Sequence, residues 1–280
     1  MDVLRTVDAM RAWRAARGGR LAAVPTMGAL HAGHARLMTA ARGHADAVAA
    51  SVFVNPTQFG PNEDFQTYPR DEAGDLRTCE AAGVDAVFLP TAAVMYAPDA
   101  SAFVDETVLG AGLCGGRRPG HFRGVCTVVL KLMNIMGAEV FVFGEKDYQQ
   151  LCVIRRMARD LDVPVEIVGA PIVREADGLA MSSRNRYLSP AERGQALGLS
   201  GALREAGEMA RGGERCADAL RAAMRRQMES RGLRVDYAEV ADGATLESLG
   251  ETRPGCRALV AAFCGATRLI DNRALLEETE

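Results

Sequence analysis

The sequence predicts an α/β protein: a doubly wound, mostly parallel sheet covered by helices, followed by a second, smaller α+β domain. Two observations predict it. Through about residue 170, apolar runs alternate with helically spaced segments, and the runs are nearly unbroken in apolar residues, as strands covered on both faces are. Beyond Pro171 the order changes to two long helical stretches followed by adjacent strand-like runs, the pattern of an α+β unit. The expected boundary lies near Val173, giving domains 1–173 and 174–280.

Taken in order, helical spacing over 7–16 precedes the apolar run 21–24, which ends at Pro25-Thr26-Met27-Gly28. A helix is expected over 35–42 and a strand over 47–54, closed by Asn55-Pro56. A helix over 71–82 leads to a strand over 84–89, closed by Pro90. Then come a helix over 122–136, a strand over 139–143, a helix over 148–160 and a strand over 164–168. In the second domain the helices are 190–211 and 216–231, and the strands are 233–240, 257–263 and 267–270. The glycine-rich stretch 110–120 is the most loop-like and is expected to be mobile.

Composition excludes several function classes. With 48% hydrophobic residues and 25% charged, 280 residues can bury one large core or two ordinary ones. The net charge of −3 comes from interspersed acids and bases, which supplies no field for nucleic acid or an anionic membrane. No apolar window is long enough to span a bilayer and the first residues lack a signal-peptide pattern, so the chain reads as cytoplasmic. Seven cysteines, an odd number without a C-x-x-C pair, argue against a disulfide framework or a zinc ribbon and read as small buried hydrophobes. Only Lys131 and Lys146 stand against thirty-one arginines. A lysine that persists under such a bias marks a place where a guanidinium would not serve.

Doubly wound sheets bind ligands beyond the carboxyl ends of their strands, and the polar constellations fall there. The first is Gly28-Ala29-Leu30-His31-Ala32-Gly33-His34, between a strand and a helix. Glycines admit a phosphate to the backbone, a helix start offers N–H groups, and His31 and His34, three apart, can face one anion. A P-loop would need Lys and Ser/Thr where His34 and Ala35 stand; a zinc site would need a third ligand that no neighbouring motif supplies. Two ordinary surface histidines remain the alternative.

The second constellation, Asn55-Pro56-Thr57-Gln58-Phe59, puts an uncharged amide, Gln58, at a strand end, suited to hydroxyl and carboxylate oxygens; a plain polar turn is the alternative. In the third, Gly144-Glu145-Lys146-Asp147-Tyr148-Gln149-Gln150, Lys146 offers phosphate a compact charge, Asp147 suits a helix cap and Gln150 sits one turn on; a solvated charge run competes. The fourth, Met181-Ser182-Ser183-Arg184-Asn185-Arg186, joins two hydroxyls to Arg184 in the interdomain segment. That set suits a phosphate leaving group, or else a polar linker.

In this order the four motifs resemble the pantothenate synthetase family, and Asp236-Tyr237 with Arg268-Leu269-Ile270-Asp271-Asn272 extend the likeness to essentially the whole chain. The resemblance implies a Rossmann-like first domain, a second domain closing over the site, a homodimer and a requirement for Mg²⁺, to which no residue is assigned as a ligand. It implies an ATP-dependent ligase that condenses pantoate with β-alanine through pantoyl-adenylate. By the same resemblance Met27, Gly28, Ala29, Leu30, His31, Ala32, Gly33 and His34 contact ATP, together with Gly144, Glu145, Lys146, Asp147, Val173, Met181, Ser182, Ser183 and Arg184. His34, His31, Lys146 and Arg184 carry the catalysis, Gln58 and Gln150 hold pantoate, Gln58 also lies near β-alanine, and Arg118 enters from the glycine-rich loop.

Overall fold

The computed structural model describes residues 1–61 and 63–276. The chain forms two compact units: residues 1–145 with 149–171, and residues 146–148 with 172–280.

The first unit is a six-stranded parallel sheet built from β1 (Asp2–Leu4), β2 (Leu21–Thr26), β3 (Ala47–Val52), β4 (Ala86–Phe88), β5 (Val140–Gly144) and β6 (Glu166–Ala170). The order is β1-β4-β3-β2-β5-β6, so the chain winds outward from β2 in one direction and from β5 in the other. Between them lie helices α1 (Val7–Ala15), α2 (Ala32–Arg42), α3 (Glu72–Ala81), α4 (Ala92–Met95), α5 (Leu113–Arg117), α6 (His121–Met136) and α7 (Tyr148–Asp160). Alternation along the strands puts Ala22 and Val24, Val48, Ala50 and Val52, and Val140 and Val142 into one buried layer, which Met38 and Ala41 of α2 and Cys79 of α3 cover. Six of the seven cysteines are buried; Cys216 is exposed. No helix among the described residues is long and apolar enough to cross a membrane.

The second unit pairs α8 (Pro190–Arg211) and α9 (Ala217–Glu229) with an antiparallel sheet, β7 (Arg234–Asp242), β8 (Cys256–Cys264) and β9 (Thr267–Ala274), in that order. Ser189 and Glu192 form a capping box at the start of α8, with Pro190 in the first turn, which fixes where that helix begins. Leu199, Leu203, Ala206 and Ala210 then face Leu220, Met224 and Met228 of α9 and the alternating Val240, Ala258, Val260 and Ala262 of the sheet.

Two expectations need correction, and two short elements went unpredicted. Helix α2 begins at Ala32 rather than 35, because His31, a residue seldom used as a cap, caps it. Within the stretch expected to be a loop, residues 113–117 are helical despite two glycines. The short β1 and α4 have no periodicity long enough to read from sequence.

Candidate active site

The strand order reverses between β2 and β5, so the crevice at their carboxyl ends is the switch point at which doubly wound sheets bind ligands. The histidine turn follows β2, and Gly144 ends β5, with a 3₁₀ turn over Glu145–Asp147 after it. Leu37 of α2 lies over Gly144, where an added Cβ would meet its side chain at 3.8 Å.

The turn is built from its own polar groups. The Thr26 hydroxyl donates to the Ser51 carbonyl at 2.7 Å and accepts from the Gly28 N–H at 3.3 Å. Gly28 (φ +81°) and Ala29 (φ 50°) are both left-handed, a conformation Ala29 adopts only at a cost. His31 Nδ1 accepts from the Gly33 N–H at 3.1 Å, and His34 Nδ1 accepts from the His31 N–H at 3.3 Å, closing a capping box made of two imidazoles. A ring nitrogen that accepts carries no proton, so each neutral imidazole holds its proton on Nε2. The two rings lie 4.1 Å apart, centroid to centroid.

Most of the turn's own amides are engaged within the protein. Besides the Gly28, His31 and Gly33 bonds, His34 N–H donates to the His31 carbonyl at 2.8 Å. Ala29 and Leu30 N–H donate to the Asp75 carboxylate at 3.0 and 2.7 Å. The N–H groups of Gly28, Ala29, Leu30, His31, Gly33 and His34 are thus already bonded within the protein.

Gln58, 7% exposed, stands beside this turn: its Nε2 donates to Met27 Sδ at 2.9 Å, and its Oε1 accepts from Asn55 Nδ2 at 3.0 Å. Asn55 also caps the 3₁₀ turn Pro56–Gln58, donates to the Gly124 carbonyl and accepts from the Tyr96 hydroxyl at 2.8 Å. Arg118 does come near Gln58, its Nη2 donating to the Gln58 carbonyl at 3.4 Å, but it grips Glu63 through two bonds of 2.6 Å. Burial would raise the Glu63 pKa; the hydrogen bonds and charge of Arg118, with the Gly60 N–H, outweigh it and hold the carboxyl below the usual range. His121 Nδ1 lies 2.8 Å from the same Gln58 carbonyl and must be the donor, since a carbonyl only accepts.

Gln150 occupies the first turn of α7. Its neighbour Gln149 is buried and accepts from the Cys114 N–H at 2.9 Å while donating to the Leu109 and Gly112 carbonyls, each at 2.8 Å.

In the second unit, Lys146 Nζ lies 3.2 Å from Asp147 Oδ2, and the Lys146 carbonyl accepts from Asn272 Nδ2 at 3.0 Å. Asn272 is held in turn by Arg257, whose guanidinium stacks 3.7 Å from the Tyr148 ring centroid. Met181 N–H donates to the Val173 carbonyl at 2.9 Å, and Ser182 caps the 3₁₀ turn Ser183–Tyr187 that carries Arg184. Arg174 pairs with the buried Asp271 through bonds of 2.7 and 3.0 Å, and Arg268 pairs with Asp236 at 2.8 Å. Lys146 of the third motif and Arg174, ahead of the fourth, are thus held by the 268–272 segment that the sequence singles out separately. No group of three or more His, Cys, Asp or Glu among the described residues could cage a metal ion.

Sequence reasoning missed Asp75, Glu63 and Gln149. Asp75 had a readable signal: it precedes the buried Cys79 by four residues, an acid on the inward stripe of a helix.

The pantoate-beta-alanine ligase family pattern matches residues 2–274. A pantothenate synthetase of Myxococcus xanthus is 54% identical over 279 residues, covering 98% of this chain and 96% of that protein. The crystal structure of pantothenate synthetase from Thermus thermophilus superposes with a TM-score of 0.94 at 44% identity, covering 99% of this chain and 100% of that one. A pantoate-beta-alanine ligase from Francisella tularensis, solved with β-γ ATP and β-alanine, gives 0.83 at 31% identity, covering 98% of each chain. The chain therefore belongs to the pantoate-beta-alanine ligase family.

Proposed function

We propose that this chain condenses pantoate with β-alanine in two steps, with ATP as co-substrate. A carboxylate is a poor acyl donor because its leaving group would be oxide. Pantoate therefore attacks the α-phosphate of ATP, expelling pyrophosphate and forming pantoyl-adenylate. The amine of β-alanine then attacks the acyl carbon, and AMP leaves with pantothenate as the product. No side chain need act as a covalent nucleophile, and enclosure protects the adenylate from water.

The observation that carries this reading is the imidazole capping box at the switch point: His31 and His34 each keep their proton on Nε2, a donor suited to phosphate oxygens. In this reading Met27 through His34 contact ATP together with Gly144, Glu145, Lys146, Asp147, Val173, Met181, Ser182, Ser183 and Arg184. His31, His34, Lys146 and Arg184 meet charge that accumulates on the α-phosphate and on pyrophosphate. Gln58, its amide already oriented by Met27 and Asn55, holds pantoate with Gln150. Magnesium fits as an ion carried by the nucleotide's phosphates, which needs no protein cage and neutralises phosphate charge. The Francisella relative, bound to an ATP compound and β-alanine, supports the choice of substrates. The family likeness further suggests a homodimer, which sedimentation equilibrium tests.

The deciding experiment is pyrophosphate–ATP exchange. Exchange should require ATP, Mg²⁺ and pantoate but not β-alanine, and adding β-alanine should release AMP. Exchange equally fast without pantoate would overturn the order of steps.

A further inference from the structure

We infer that Asp75 is a positioning residue for adenylation: its buried carboxylate is the resident anion of the Ala29 and Leu30 amides and so holds the His31–His34 pair in register. The inference rests on the reading of residues 27–34 as the nucleotide turn.

Two successive left-handed residues, Gly28 and Ala29, turn the following amides toward one point, the backbone concavity that elsewhere captures phosphate. Here that point is occupied from within. Asp75, 3% exposed, gives one oxygen to each amide, at 3.0 and 2.7 Å. A Cβ on Gly28 would stand 2.7 Å from Asp75 Oδ2 and 3.2 Å from Val52 Cγ1, so the carboxylate and the turn fit with no room for a side chain. Ala29 is 1% exposed and Leu30 6%, so no solvent replaces the carboxylate if it is lost. The next residue, His31, begins the capping box that aligns both imidazoles. Asp75 thus acts through the backbone on groups that it does not itself present to substrate.

The amides cannot serve phosphate and Asp75 at once. A negative charge at this place would be a liability if the turn bound phosphate by its backbone. It is tolerable if the phosphates are met by side chains beyond it.

Asp75→Asn tests this, because an amide side chain has only one acceptor oxygen and would turn its NH₂ toward the second backbone N–H. We expect the turnover rate of pyrophosphate–ATP exchange to fall at least tenfold while the KM for pantoate stays within twofold. In a cycle with His34→Ala, the double variant should be no slower than His34→Ala alone, since both changes remove the same aligned imidazole. Additive losses, or a pantoate KM that rises as far as the rate falls, would overturn the inference alone. A wild-type rate for His34→Ala would overturn the nucleotide reading and the inference with it. Should Asp75→Asn fail to fold, NMR of the wild-type chain decides. Saturating ATP should shift the His34 ring signals and leave the Ala29 and Leu30 amide signals in place; amides that move with the ring would refute the assignment.

Discussion

Gly124 of α6 faces the backbone of Thr57: a Cβ on Gly124 would stand 2.3 Å from the Thr57 carbonyl oxygen and 2.7 Å from the Gln58 Cα. The helix and the 3₁₀ turn that presents Gln58 touch backbone to backbone, which only glycine permits.

Gly124→Ala must therefore push the turn away or bend α6. We expect a loss of about 1–3 kcal/mol in stability, the usual cost of overpacking, and a KM for pantoate at least roughly tenfold higher with ATP use nearly unchanged. Denaturant unfolding and steady-state kinetics measure the two effects. A pantoate KM equal to wild type would separate Gln58 from the hydroxy acid.

Lys146→Arg should not behave conservatively in a chain that uses arginine almost everywhere else. The ammonium lies 3.2 Å from Asp147, and Asn272 holds the Lys146 backbone, so a broad planar fork would have to fit where a slender tip now sits. ATP affinity should stay within several-fold while single-turnover formation of pantoyl-adenylate slows by at least roughly 30-fold, about 2 kcal/mol. A rate within about threefold of wild type would show that charge alone suffices.

Stability below pH 4 should depend on Asp242. Thr245 N–H, the largest influence, lowers its pKa; burial opposes this, and Arg253, Ala244 N–H and the Thr245 hydroxyl assist, bringing it to about 2 against an ordinary 3.8. A depressed folded-state pKa means that the contribution is present in full above the unfolded value and is lost as pH falls toward the folded one. Acid titration of unfolding midpoints should show a shallower decline between pH 4 and 2 for Asp242→Asn than for wild type. Parallel curves would show that another carboxylate governs that range.

Ser51, fully buried in β3, has a hydroxyl without a hydrogen-bond partner. Ser51→Ala removes an uncompensated polar group at almost constant shape. Its expected gain is about 0.5–1 kcal/mol, seen as a melting temperature higher by roughly 1–3 °C. A lower melting temperature would mean that the hydroxyl has a role beyond packing.

The sequence was informative where a period is long. Helices α7 and α8 and the starts of β2 and β3 lie where apolar spacing places them, because burial of one face dictates that spacing. It was uninformative where one side chain overrides propensity. His31 in the role usually taken by serine or aspartate moved the start of α2 by a turn, and Gln149 ordered a segment whose glycines argue for a loop. The polar residues of the four motifs could be picked out because they sit at strand ends. Asp75 carried only the weaker signal of its spacing to the buried Cys79, since an acid in a helix ordinarily faces water and its true partners lie more than forty residues away.

The Gln149 amide has a further consequence in the cooperativity of local order. Three bonds from one side chain join Leu109, Gly112 and Cys114 to the first turn of α7, in a segment whose glycines would otherwise lose the most conformational entropy on ordering. Residues 109, 112 and 114 thereby share one anchor in another helix, in addition to the local bond from Gly110 N–H to Glu106, so their order is coupled rather than gained or lost residue by residue.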